Sequence, residues 1–82
     1  MKIYVKMFPI PGICDKSREM EFALPEGTLS ELLIRVQEET GAGPLPLDIL
    51  MFLHNGRVLD INEDAGFSDG DRLWILPQID GG

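Results

Sequence analysis

The chain has 82 residues, 7 basic and 14 acidic, giving a formal net charge of -7 at pH 7, and 44% of it is hydrophobic. That suits one domain with one core, too apolar for a disordered chain and too small to wall off a water-excluding pocket. A carrier, binding module or subunit is therefore expected rather than an autonomous enzyme. The acidic balance excludes nucleic-acid backbones and anionic membranes as natural partners and favours a partner with a basic docking surface.

No apolar run approaches the roughly 20 residues of a membrane span. The opening MKIYVKMF has neither the apolar block nor the small-residue cleavage site of a secretory leader, so a cytoplasmic location is expected. Cys14 is the single cysteine, which leaves no intramolecular disulfide; without basic neighbours its thiol is expected to be inert.

In chain order, KIYVKMF at 2–8 alternates as a strand, with Ile3, Val5 and Met7 on one face and Lys2, Tyr4, Lys6 and Phe8 on the other. Pro9, Pro11 and Gly12 stop it, and a polar loop carrying Cys14 leads to a second alternating stretch, Glu19 to Leu24. The two strands suggest a hairpin. Thr28 with Glu31 three residues on matches a capping box. Leu29, Leu32, Leu33 and Val36 then form one apolar stripe, and Gly41 suits a C-cap, so the spacing predicts a helix over 29–40. Residues 41–48 read as a loop. Ile49 to His54 is an apolar strand ended by Asn55-Gly56, a strong hairpin-turn signal, with a short return strand from Arg57 to Leu59. Residues 60–71 are polar and turn-rich. Arg72 to Leu76 makes the last strand and Pro77 stops it. The order is β-β-α-β-β-β: an α+β fold in two layers, a mixed sheet of four to five strands with one main helix on one face. The expected division is a domain over 1–77 and a flexible tail over 78–82.

The opening KIYVK, the HNGR turn, the DGD before the last strand and the final Gly81-Gly82 resemble the β-grasp, ubiquitin-like fold. Within it the chain is most similar to the sulfur carriers, the molybdopterin synthase small subunit and the thiamine-pathway carrier. The likeness covers the whole chain in element order and is motif-level over Asp69 to Gly82. The resemblance implies a β-grasp domain with no bound cofactor. It also implies an ATP-dependent activating enzyme that adenylates the Gly82 carboxylate, and a sulfur donor protein that converts the adenylate to a thiocarboxylate. The tail then enters the large subunit of a synthase. Length and the loop at 9–18 lean towards the molybdopterin branch over the thiamine branch. Asp80 departs from the family pattern, in which the residue before the glycines is more often small or basic.

The residues support that chemistry independently. A carboxylate becomes an acyl donor only when its oxygen is made a leaving group, so activation comes from outside. Gly81 and Gly82 have no Cβ and can thread a narrow channel. The tail after Pro77 reaches about 15 Å when extended. A second expected surface follows from strand parity. If Leu73 and Ile75 face the helix, Trp74 and Leu76 point the other way, with Leu53, Tyr4 and Phe8. That uncovered apolar face, together with Ile79 on the tail, is expected to bind partners; a one-residue shift of register would exchange the faces. His54 is the only histidine and is expected to cap its strand. Glu63, Asp64, Asp69 and Asp71 lack calcium-loop spacing, so no metal site is expected. Two other readings stay open: a protein modifier conjugated through Gly82, and an interaction module with an incidental diglycine.

Overall fold

Alternation decides the first two strands. In β1 (Lys2–Met7) the side chains of Ile3, Val5 and Met7 are buried, and in β2 (Arg18–Ala23) those of Met20 and Phe22 are. The computed structural model, which describes residues 1–63 and 66–78, pairs these strands as an antiparallel hairpin with Ile3 opposite Phe22 and Val5 opposite Met20. The expected strand over 2–8 ends one residue earlier, at Met7, and the expected strand over 19–24 begins and ends one residue earlier.

The helix α1 (Leu29–Thr40) has the expected bounds. Thr28 Oγ1 accepts the Glu31 N–H at 3.1 Å, while Glu31 Oε1 accepts the N–H groups of Gly27 at 3.0 Å and Glu26 at 3.1 Å. The carboxylate thus reaches past the N-cap to the two residues before it, and the free donors at this helix start are shared between two side chains. Leu29, Leu32 and Val36 are buried, whereas Leu33, expected on the same stripe, is half-buried at its margin. The Gly41 N–H closes the helix on the Gln37 carbonyl.

Leu47–Ile49 forms a single 3₁₀ turn, so β3 (Leu50–His54) begins one residue later than expected. β4 (Arg57–Val58) stops before Leu59, whose N–H still donates to the Phe52 carbonyl at 2.8 Å. β5 (Arg72–Pro77) runs one residue further than expected, through Pro77. The five strands form one sheet in the order β2-β1-β5-β3-β4, with β1 and β5 parallel and the other neighbours antiparallel.

Proline is accepted inside β5 because of where its nitrogen points. Gln78 N–H bonds the Ile49 carbonyl, so the alternate position, Pro77, turns its nitrogen towards β1. There the Phe8 N–H donates to the Ile75 carbonyl at 2.8 Å, and parallel pairing would aim a residue-77 N–H at the Phe8 carbonyl. Proline has none. The Phe8 carbonyl takes the Cys14 thiol instead, at 3.4 Å.

The helix-side face of the sheet carries Ile3, Val5, Met7, Met20, Phe22, Leu50, Phe52, Leu73 and Ile75, all buried beneath α1. Loop residues Ile10, Leu45 and Phe67 complete this core. The other face of the sheet has no covering layer among the described residues.

Candidate functional site

Gly81 and Gly82, the expected reacting residues, lie outside the described residues, as do Asp80 and the expected partner-binding Ile79. The structure does fix where the chain departs for them. Pro77 pairs with Leu50, and the Gln78 N–H donates to the Ile49 carbonyl at 2.7 Å. The tail therefore leaves from the β3–β5 end of the sheet, next to Met51 and Leu76, which sit opposite one another.

The open face has the parity read from the sequence. Leu73 and Ile75 are buried towards the helix, and Trp74 between them is 45% exposed. Trp74 lies opposite Leu53 on one side and Lys6 on the other. Phe8 packs edge-on against Trp74 with ring centroids 5.2 Å apart. Leu53, Phe8 and Leu76 are half-buried, so with Trp74 they make a continuous apolar strip. Tyr4, 38% exposed, stands apart from that strip, opposite Arg72 and beneath the Lys2 ammonium at 5.6 Å from its ring. Met51 and Val58 extend the strip: Met51 shares the parity of Leu53, and Val58 is its Cα partner on β4. Both were available to the same alternation argument carried along β3 and across the Asn55-Gly56 turn.

Beside the strip a shallow depression of about 650 Å³ opens between Tyr4, Lys6, Glu19, Glu21, Arg72 and Trp74. Its charges are unevenly satisfied. Lys2 pairs with Glu21 at 3.3 Å. Lys6 turns its ammonium over the rings of Phe8 and Trp74, at 5.0 and 5.9 Å from their centroids.

A polar clasp holds the other end of β5. The Asp71 carboxylate accepts the Ser68 N–H at 2.8 Å and the Asn55 Nδ2–H at 3.1 Å. It also lies 2.7 Å from His54 Nε2. The Ser68 N–H, opposed by burial and helped by His54 and Asn55, holds the Asp71 carboxyl below its ordinary value. An ionised carboxylate only accepts, which makes His54 Nε2 the donor. Asn55 adds two further links, accepting the Arg72 N–H at 2.8 Å and donating its own N–H to the Arg72 carbonyl at 2.9 Å. Asp69 accepts the Lys2 N–H at 2.7 Å, and the Gly70 N–H donates to the Lys2 carbonyl. The DGD motif is thus the joint between β1, β5 and the NG turn. His54, expected to cap its strand, instead spans to Asp71 and packs edge-on against Phe67. Cys14 belongs to the Phe8 carbonyl and is half-buried. No cluster of three or more potential metal ligands occurs among the described residues, and no helix there is long and apolar enough to cross a membrane.

No protein-family profile matches this chain, and no curated protein does. Solved structures match over its whole length. One is from the protein–protein complex of subunits 1 and 2 of the molybdopterin-converting factor of Helicobacter pylori, with TM-score 0.63 and 26% identity over 100% of both chains. The chain has the ubiquitin-like β-grasp fold. SAMP1 from Haloferax volcanii matches with TM-score 0.71 and 18% identity over 100% of both chains. A ubiquitin-like protein from Caldiarchaeum subterraneum matches with TM-score 0.53 and 24% identity over 99% of this chain and 100% of that one. The resemblance read from the opening strand, the NG turn, the DGD joint and the terminal glycines is borne out in the β-grasp architecture and in these neighbours.

Proposed function

We propose that this β-grasp protein is a sulfur carrier whose reacting group is the Gly82 carboxylate. In this reading an activating enzyme uses ATP to form the acyl-adenylate, releasing pyrophosphate. Sulfide-level sulfur from a donor then attacks the acyl carbon and expels AMP, leaving a thiocarboxylate that delivers sulfur inside a synthase in the molybdopterin branch. The observation that carries the reading is the full-length likeness to a chain of the molybdopterin-converting factor complex, in which such a domain is found bound to its partner subunit. Two features of this chain support it. Its open apolar strip ends at Met51 and Leu76, beside the point where the tail leaves the sheet. The four residues after Gln78 span at most about 14 Å, so a partner seated on the strip is within their reach.

The experiment is intact-mass analysis of the full chain incubated with an activating enzyme, ATP and a sulfur donor. The expected result is a gain equal to one oxygen exchanged for one sulfur, abolished when Gly82 is deleted. A chain of unchanged mass under conditions that load a known carrier rejects the proposal. The likeness to a ubiquitin-like protein favours a second reading, conjugation through Gly82 to lysines of other proteins, and heavier adducts in the same assay would select it.

A further inference from the structure

The charge of this protein is segregated, and the open sheet face is its least acidic part. Of the 7 basic residues, Lys2, Lys6 and Arg72 lie on the outer positions of β1 and β5; among the described acidic residues, only Glu19 and Glu21 lie on outer strand positions, both on β2. The other described residues include four basic against ten acidic. Glu21 is already paired with Lys2. Lys6 and Arg72 make no side-chain ion pair among the described residues. They bracket Trp74, Lys6 directly across from it on β1 and Arg72 two positions before it on the same face of β5. Glu19 is the Cα partner of Lys6 on β2, yet the two make no ion pair, and Glu19 stands one strand further from the apolar strip.

From this placement we infer that the open face selects a protein partner whose contact surface is apolar and carries carboxylates, and that these meet Lys6 and Arg72 beside Trp74. This deepens the proposed function, on which it rests for the identity of the face as the docking surface. It reverses the expectation drawn from net charge, a basic docking surface. A group seated on Leu53, Trp74 and Leu76 meets the two cations first. Lys6 is held over the Phe8 and Trp74 rings, on the margin of the strip. Desolvating Trp74 under an apolar partner would bury two cations without partners unless the incoming surface supplied acceptors, and unpaired charge is strongly unfavourable at an interface. Basic surfaces that approach the acidic remainder of the molecule are steered away from this face.

The test uses the full chain and two synthetic amphipathic peptides that share one Leu and Phe pattern, one with Glu and the other with Lys at its polar positions. Backbone amide shifts locate each peptide. The expected result is that the Glu peptide moves the signals of Lys6, Leu53, Arg72 and Trp74. In the Lys6→Glu, Arg72→Glu variant its binding should weaken about tenfold and the Lys peptide should be preferred. The milder Lys6→Gln, Arg72→Gln variant, expected to lose the preference without reversing it, covers a charge-reversal variant that fails to fold. A Lys peptide that moves the face signals more strongly, or no movement by either peptide, overturns the inference. The assay is repeated on the chain lacking Gly81 and Gly82. A face preference that survives while the full chain cannot be loaded with sulfur sinks the carrier reading alone; loading that proceeds without a preference sinks this inference alone.

Discussion

At the scale of single residues, Asp71 does the most to hold the strand ends together. Its carboxylate takes three donors from two segments, Ser68 on one side and the adjacent His54 and Asn55 on the other. Its side chain is 15% exposed, and of the three bonds the one to His54 is partly buried while those to Ser68 and Asn55 are exposed. Asp71→Asn keeps the volume but turns an amide towards donors, and should cost about 1–3 kcal/mol at neutral pH by denaturant unfolding. The pH dependence has a definite sign. A carboxyl held below its ordinary 3.8 contributes stability that is fully present above that value and is lost as pH falls through its lower, folded-state value. The gap between the wild-type and Asp71→Asn proteins should therefore be constant from pH 7 to about 5 and narrow below pH 4. A gap independent of pH down to the acid limit would assign the loss to packing instead. Asn55 has φ +50° beside Gly56 at +86°, the pair of left-handed conformations that a tight primed hairpin turn requires. Asn55→Gly loses the side-chain bonds and keeps the conformation. Asn55→Ala loses both, so it should be the less stable of the two by about 1 kcal/mol in the same measurement.

At the scale of elements, α1 contributes through one narrow stripe. Leu32 is fully buried and Ile34, two residues on, is 57% exposed. Leu32→Ala should cost about 2–5 kcal/mol, and Ile34→Ala should stay within about 0.5 kcal/mol, both by equilibrium unfolding. Similar losses at the two positions would mean that the helix packs in another rotation. The stripe, the cap at Thr28 and the strand parities were legible because periodicity is a local signal, carried by neighbours three, four or two residues apart. The contacts that the sequence concealed are those without a period. Ile10, Leu45 and Phe67 enter the core from loops, where nothing in their surroundings marks them as buried. His54 and Asp71 meet across 17 residues, and the Cys14 thiol is placed by a missing N–H at Pro77, far away in sequence. In the candidate site, strand parity set Trp74, Leu76, Leu53 and Phe8 on the open face. The same rule placed Tyr4 there too, but parity fixes a face and not a neighbour, and the intervening Lys6 and Arg72 separate it from the strip. Ile49 opens the apolar run that reads as a strand, yet the 3₁₀ turn holds it half out in solvent at 48% exposure.

At the scale of the whole molecule, one helix can cover one sheet face, and a five-stranded sheet has two. Burial of the strip on the second face would contribute roughly 25 cal/mol per Å², a contribution the monomer forgoes among its described residues. Trp74 should therefore matter to association far more than to folding. It is large, amphipathic, central to the strip and 45% exposed, which are the properties of an interface anchor. Trp74→Ala removes the ring that Phe8 packs against but opens no cavity in the core, so the change in unfolding free energy should be within about 1 kcal/mol. If the chain is the sulfur carrier proposed above, its binding to the activating enzyme should weaken by about 30-fold or more, the threshold of an interface hot spot, read by titration calorimetry with that enzyme as titrant. The control is Ile34→Ala on the opposite layer, which should leave that affinity unchanged. If Trp74→Ala binds like the wild-type protein while Ile34→Ala does not, the enzyme docks on the helix, and the open face must be assigned to another contact.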